Sequence, residues 1–447
     1  MIAADSYDLS VIGGGISGSL VVIKLLQSLE ISKANQTSPK RIVIFDRMGD
    51  FGAGIPYGEK SSEPGFLLID TVAKSTPPEF QTWLKAKRNE LIAELQAQTD
   101  TAVKTWLSEN RAALSEGKID ELFVPRRLFG KYITDLLFKQ IRQASDAGLA
   151  SIKLVHDEVV DLKPLDTRGF IVSTQTETFF ADTTVVAVGN IPRAAHSELS
   201  VTDGYIHDLW EQGYSTIDLA INKISARLGR PLDLVISGSG ATAGEVVYYL
   251  AHAPKLLPAL RSIQVVSRSG YLAGGGAGSA TNMTEPPKAY AVARPAAREY
   301  TSAASRLTKT GLLSSLLAKI EPTPKRTEDG RLALPTDADN KCKVFADIIV
   351  NCMGSGILRK TRSPLLSAMC LPERGFRINH LGVGFKTSDG AAHPNGCFVI
   401  GPLQNLEAVE THVESIHGVY RATAELNELL CKRLEIHRPM RSKGTPA

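Results

Sequence analysis

Leu9-Ser10-Val11-Ile12-Gly13-Gly14-Gly15-Ile16-Ser17-Gly18, read with the apolar stretch Leu20 to Leu29 behind it, decides the fold. Leu9 to Ile12 has the length and character of a short buried strand, and it runs directly into a G-x-G-x-x-G turn that opens a helix. The order answers a physical need: Gly13 allows the tight turn, Gly15 lets backbone approach a pyrophosphate, and Gly18 lets the helix lie close on the sheet. Ser17 sits in the first helical turn, whose N–H groups face the anion. A second strand, Arg41-Ile42-Val43-Ile44-Phe45, ends at Asp46 with Arg47 beside it, where a carboxylate can accept hydrogen bonds from a ribose hydroxyl pair. The polar stretch Ser32 to Lys40 reads as a loop that lengthens the interval between turn and acid.

The same grammar recurs in mid-chain. Leu232-Asp233-Leu234-Val235-Ile236-Ser237 leads into Gly238-Ser239-Gly240-Ala241-Thr242-Ala243 and then a helical run from Glu245 to Ala251, which is G-x-G-x-x-A after a strand. The following strand, Ser262 to Val266, ends in Ser267-Arg268 in place of an acid, and a guanidinium there pairs with a 2′-phosphate that a carboxylate would repel. NADP is therefore expected over NAD at this second turn.

Two dinucleotide turns, one near the start of the sequence, predict an FAD domain interrupted by an inserted NADP domain. Two further strands support the crossings, Thr183 to Asn190 reaching Gly189 and Phe345 to Gly354, and the strand Gly396 to Pro402 carries Gly401. Ala408 to Lys432 then reads as a closing helix. The expected fold is α/β, with two Rossmann-like dinucleotide-binding domains, a discontinuous FAD domain over residues 1–200 and 346–447, and an NAD(P) domain over 201–345. A helical insertion is expected at about 77–147, opening with the capping-box spacing Thr76-Pro77-Pro78-Glu79 and bearing Trp83-Leu84 and Trp106-Leu107 on amphipathic segments that pack on the FAD domain. Gly270 to Ala304 reads as a long loop inside the NADP domain.

Composition narrows the function. At 447 residues, with 43% hydrophobic and 22% charged, the chain has the makings of two or three compact domains and none of the signs of disorder. Lys and Arg at 51 against Asp and Glu at 47 leave +4, too little to imply a nucleic acid or an anionic lipid as partner. Five cysteines without a CxxC pair give neither a disulfide framework nor a metal site. No signal peptide or membrane-spanning run is read, so a cytoplasmic location is expected. No side chain declares itself as acid, base or nucleophile; His412 and His417 on the closing helix can face a flavin or simply pack, and the catalytic residues stay unassigned.

With these pieces in place the chain resembles the bacterial FAD-NAD(P)-binding family of two-dinucleotide-domain flavoproteins, related to the class B and N-hydroxylating flavin monooxygenases. The narrower likeness rests on Phe51-Gly52-Ala53-Gly54-Ile55-Pro56-Tyr57-Gly58, similar to that family's G-x-G-x-x-Y-G segment, and on Pro125-Arg126-Arg127-Leu128-Phe129-Gly130-Lys131-Tyr132, similar to its P-R-x-x-(F/Y)-G-x-Y motif. Gly54, Tyr57 and Arg126 are cofactor-side residues on that basis. Gly204-Tyr205-Ile206-His207-Asp208-Leu209-Trp210 resembles a relaxed linker fingerprint, with His207 either structural or against a cofactor. Gly401-Pro402-Leu403 stands where many flavoproteins place Gly-Asp against the ribityl chain. The resemblance implies that NADPH reduces FAD and that the reduced flavin, through a flavin peroxide formed with molecular oxygen, hydroxylates a small, nitrogen-containing metabolite, in a protein that can form a homo-oligomer. The alternatives are an oxidase or dehydrogenase acting directly on its substrate, and a non-catalytic FAD-binding module.

Overall fold

A computed structural model describes residues 6–58, 67–69, 72–99, 101–191, 199, 201–267, 304–317, 324–335, 343–354, 356, 358–379, 384–387, 390–403 and 416–436. It divides into two units, Met1–Gly58 with Phe129–Arg193 and Ser355–Ala447, and Glu59–Leu128 with Ala194–Gly354. Fifteen strands are described. In chain order they are β1 (Ser6–Ile12), β2 (Lys40–Phe45), β3 (Ala150–Val155), β4 (Val159–Pro164), β5 (Phe170–Thr174), β6 (Thr178–Val186), β7 (Tyr205–Ile206) and β8 (Leu232–Ser237). The remainder are β9 (Leu260–Ser267), β10 (Leu313–Leu317), β11 (Lys325–Arg326), β12 (Leu332–Pro335), β13 (Lys343–Ala346), β14 (Ile348–Asn351) and β15 (Cys397–Val399).

In the first unit the sheet runs β3-β2-β1-β6-β5-β4, with β15 also on β6. The long strand β6 serves two layers of pairing. Its first half pairs antiparallel with β5 through Phe170 to Ser173, and its second half pairs parallel with β15 through Cys397 to Val399. The inner parallel strands β1 and β2 are covered on both faces over most of their length, so they read as largely unbroken apolar runs rather than alternating ones, and Leu9, Val11, Ile42, Val43 and Ile44 are all fully buried. Helix Ile16–Ile31 buries Leu20 to Ile23, Leu25, Leu26 and Leu29 because it is sandwiched between the sheet and helix Ile416–Arg433, where Asn427 Nδ2 donates to Ser28 Oγ at 3.1 Å. His412 lies outside the described residues, as does the side chain of His417.

The second unit holds an all-parallel sheet, β10-β9-β8-β14-β7, and an antiparallel trio, β11-β12-β13. Every residue of β8 is buried, as the central strand of a doubly covered sheet must be. Its first polar residue, Asp233, is tied by Arg261 Nε at 2.8 Å, Arg331 Nη2 at 2.9 Å and Ser262 Oγ at 2.7 Å. Beside it Asp347 takes both guanidinium nitrogens of Arg230, at 2.9 and 2.8 Å, and the Asp233 N–H at 2.9 Å. This knot lies at the end of β8 opposite the glycine turn.

The helical insertion differs from expectation in two ways. Residues 59–128 cluster with the second unit, where Leu67 and Ala102 join the core formed by Ile206, Ile236 and Val350, whereas the last part of the expected insertion, from Phe129, clusters with the first unit. Its first helix, Pro78–Ala86, has no side-chain cap, because Pro78 at the first helical position holds Pro77 in the extended conformation and moves Thr76 out of capping reach. Thr76 Oγ1 donates instead to the Ala73 carbonyl. Trp106 is core, with Nε1 donating to the Phe123 carbonyl at 2.8 Å, whereas Trp83 stays partly exposed and stacks on Phe80. The loop read at Gly270 to Ala304 falls, but for its last residue, outside the described residues.

Candidate dinucleotide sites

The first site is the turn between β1 and helix Ile16–Ile31. Gly13 has φ +106°, and a Cβ there would run into the Ala187 carbonyl, so the turn admits no side chain. Gly13 N–H donates to the Phe45 carbonyl at 2.8 Å and Ala187 N–H to the Ile12 carbonyl at 2.7 Å, which pins the turn to both neighbouring strands. A Cβ on Gly18 would strike the Gly13 carbonyl, the close helix–sheet contact that the spacing called for. The helix begins at Gly15, with no side-chain cap and no acid in its first turn. Its leading N–H groups and the positive end of its dipole are thus left for an anion.

Around this turn the fold gathers most of the residues read from sequence. Asp46 Oδ2 accepts from Gly14 N–H at 3.0 Å, while Oδ1 accepts from Met48 N–H at 2.9 Å and Asp50 N–H at 3.3 Å. A carboxylate offers about four acceptor positions, so Asp46 shapes its own loop and retains capacity for one ribose hydroxyl. Arg47 beside it is exposed. Gly54 lies against Gly15, since a Cβ on Gly15 would come within 3.3 Å of Gly54 Cα, and Gly52 N–H donates to the Gly14 carbonyl at 2.8 Å. Gly401 closes from the other side, where a Cβ would come within 3.1 Å of Ser17 Oγ. Tyr57 packs its ring 5.7 Å from Phe129. Gly189 follows β6, and among the described residues nothing beyond its chain neighbours lies within 4 Å of a Cβ built on it.

The second site repeats the first almost bond for bond. Gly238 has φ +107°, its Cβ position is blocked by the Cys352 carbonyl, and its N–H donates to the Val266 carbonyl at 2.8 Å. Cys352 N–H donates to the Ser237 carbonyl at 2.7 Å. Gly240 caps helix Ala241–Ala251 with φ −70° and ψ −171°, against −70° and −169° at Gly15. Among the described residues, no atom beyond its own chain neighbours lies within 4 Å of a Cβ built on Gly240. Ala243 takes the place of Gly18 and is buried, and Gly354 repeats Gly189 with φ +83° against +77°. Ser267 ends β9 and is buried; Arg268 lies outside the described residues.

Sequence reading did not anticipate the surroundings of Arg126. Its guanidinium Nη2 reaches Glu245 Oε1 at 2.7 Å and lies 5.8 Å from the Trp210 ring, while Tyr214 hydroxyl donates to Glu245 Oε2 at 3.0 Å. These partners all belong to the second unit. His207 enters through its backbone, its carbonyl accepting from Asn351 Nδ2 at 3.0 Å. Nothing in the spacing of Arg126 and Glu245 links them; a polar residue breaking the apolar face of the second helix was the one available signal.

Residues 10–191 match the family described as FAD-NAD(P)-binding. The chain has the fold of the two-dinucleotide-domain flavoproteins. Among solved structures this flavoprotein fold is shared with an ornithine N-hydroxylase from Kutzneria, at TM-score 0.55 and 16% identity over 96% of this chain and 99% of that one. It is shared as well with the bacillithiol disulfide reductase of Staphylococcus aureus, at TM-score 0.52 and 12% identity over 96% and 99%. A protein of Mycobacterium tuberculosis is 29% identical over 288 residues, 61% of this chain, and the chain spans about half (53%) of that relative's length. Among the described residues no helix is long and apolar enough to cross a membrane.

Proposed function

We propose that the chain is an FAD-dependent, NADPH-using oxidoreductase that acts as a monooxygenase on a small, nitrogen-containing metabolite. The observation that carries this reading is the repetition of one turn in two units, with the same glycine φ, the same backbone bonds and the same uncapped helix start. One such turn serves one dinucleotide, and two serve an electron donor together with a retained acceptor. Bound FAD would supply hydride acceptance and, once reduced, the activation of oxygen. The chain's own residues bind and orient: helix Ile16–Ile31 holds the FAD pyrophosphate by its N–H groups, Asp46 holds a ribose hydroxyl, and Gly54 and Gly401, packed on Gly15 and Ser17, hold the turn in place. At the second turn Gly240 leaves room for the NADPH pyrophosphate, and Arg268 pairs with its 2′-phosphate.

The shared fold of the ornithine N-hydroxylase supports hydroxylation of an amine as an analogy of architecture. The disulfide reductase offers the opposite chemistry, which requires an accessible thiolate. None of the four described cysteines, Cys352, Cys370, Cys397 and Cys431, is in a disulfide, and burial pushes the thiols of Cys352 and Cys397 well above the ordinary range. A thiol held protonated is a poor partner in disulfide exchange, which counts against Cys352 and Cys397 as redox thiols.

The test is a spectrum of the FAD-loaded protein under anaerobic conditions. NADPH is expected to bleach the flavin band rapidly and NADH far more slowly, and admission of oxygen with primary amines then yields a hydroxylated product. A flavin that stays oxidised with both nucleotides, amines included, would move the assignment to a direct substrate oxidase or a non-catalytic flavin module. Arg268→Ala is expected to raise KM for NADPH much more than for NADH; an equal effect on both removes Arg268 from the 2′-phosphate.

A further inference from the structure

We infer that Arg126 is the counter-ion that keeps the second dinucleotide turn receptive to an anion, by cancelling the buried charge of Glu245 behind it. The inference rests on the NADPH reading of that turn. Glu245 lies four residues past Ala241 in helix Ala241–Ala251, about 6 Å along the axis from the end that would receive the pyrophosphate. Its side chain is only 2% exposed. A carboxylate so placed would repel phosphate oxygens through poorly screened surroundings, where like charges interact far more strongly than in water. Tyr214 supplies a hydrogen bond to Oε2 and no charge.

Arg126 supplies the charge, and the structure fixes it there from several sides. Its Nη2 is 2.7 Å from Glu245 Oε1, its guanidinium is carried over the Trp210 ring, and its backbone N–H donates to the Leu67 carbonyl at 2.7 Å. It also opens helix Arg126–Asp146, an end at which the helix dipole disfavours a cation. A cation in an unfavourable position and an anion in another are each made tolerable by the other. Arg126 is thus a positioning residue for the nucleotide's binding site, acting through Glu245.

The prediction is an asymmetry between the two single variants with rescue in the double, which a simple brace between helices would not give. NADP+ is titrated into the full-length, FAD-loaded protein and followed by perturbation of the flavin spectrum, with FAD occupancy and thermal midpoint recorded for each variant. Arg126→Gln is expected to weaken NADP+ by about tenfold or more, since a buried charge is uncovered. Glu245→Gln is expected to leave binding unchanged or tighten it, and the double variant returns close to wild type. Arg126→Lys, which keeps the charge but not the planar fork, keeps most of the affinity. Equal losses in both single variants, or no rescue by lysine, overturn the inference and leave a structural brace. A wild-type protein that binds FAD but neither NADP+ nor NADPH overturns the nucleotide reading and this inference with it.

Discussion

Asp46 holds three backbone N–H groups of its own loop, so its carboxylate organises the turn before any ribose arrives. Its removal acts twice, once on the ligand and once on the scaffold. Asp46→Ala is expected to weaken FAD by tenfold or more, equivalent to about 1.5–3 kcal/mol for hydrogen bonds to a charged acceptor, measured by fluorescence of released flavin. Asp46→Asn, which keeps one acceptor oxygen, should lose less; equal loss in both would show that the loop geometry does not depend on that acceptor. Gly15 tests the turn itself. Its missing Cβ faces Gly54 Cα at 3.3 Å, so the branched side chain of Gly15→Val crowds the loop against the helix end proposed to hold the pyrophosphate. The expected outcome is protein purified with little flavin, read as the ratio of flavin to protein absorbance, and full occupancy would remove this turn from the FAD site.

At the scale of elements the informative feature is the ionic knot at the start of β8. Asp233 is held below the usual carboxylate range, chiefly by its hydrogen bonds from the Arg261 side chain, with Ser262 and Arg331 adding to the effect. A carboxyl with a lowered folded-state pKa contributes stability that is present above its unfolded value near 3.9 and is lost as pH falls through the folded value. Asp233→Asn is therefore expected to cost about 1–2 kcal/mol at pH 7, since the neutral side chain loses charge-assisted hydrogen bonds while solvent screens the exposed Arg261. The gap between variant and wild type should begin to narrow as pH falls below about 4 and close only below the folded-state value. Urea unfolding of the full chain at pH 7 and at pH 3.5 checks this, and a gap independent of pH would assign the loss to packing. The helix entered at Pro78 shows the limit of local pattern. Thr76 to Glu79 has the spacing of a capping box, yet the paired prolines set the backbone before the threonine can act.

For the whole molecule, each unit brings together residues far apart in sequence on one turn. Gly401 meets Ser17, and Gly189 follows the strand whose next carbonyl, at Ala187, lies under Gly13. Strand β15 reaches β6 only after the second unit's residues have intervened in sequence, which is how the first unit comes to be discontinuous. This organisation predicts that FAD loading stabilises the first unit preferentially. Hydrogen exchange with and without FAD should show the larger protection in β1, β2 and helix Ile16–Ile31, growing with free flavin as mass action requires. Protection confined to β8 and helix Ala241–Ala251 would exchange the assignments of the two turns.

Sequence alone determined the two turns, their strands and the acid at Asp46, because each demand there is local: a positive φ, a close approach, a helix start within a few residues of a buried strand. It determined likewise that β1, β2 and β8 are covered on both faces, since an unbroken apolar run has no other stable setting. Tertiary structure alone decided that the helical insertion divides, its part up to Leu128 clustering with the second unit and the rest with the first, for amphipathic helices declare an apolar face without naming what covers it. It alone decided that Asp46 is largely occupied by its own loop, that Gly401 closes on Ser17, and that Arg126 meets Glu245. Those contacts join residues up to several hundred positions apart, and their physics, charge against charge in a buried setting or backbone against backbone with no side chain between, exists only once the chain has folded.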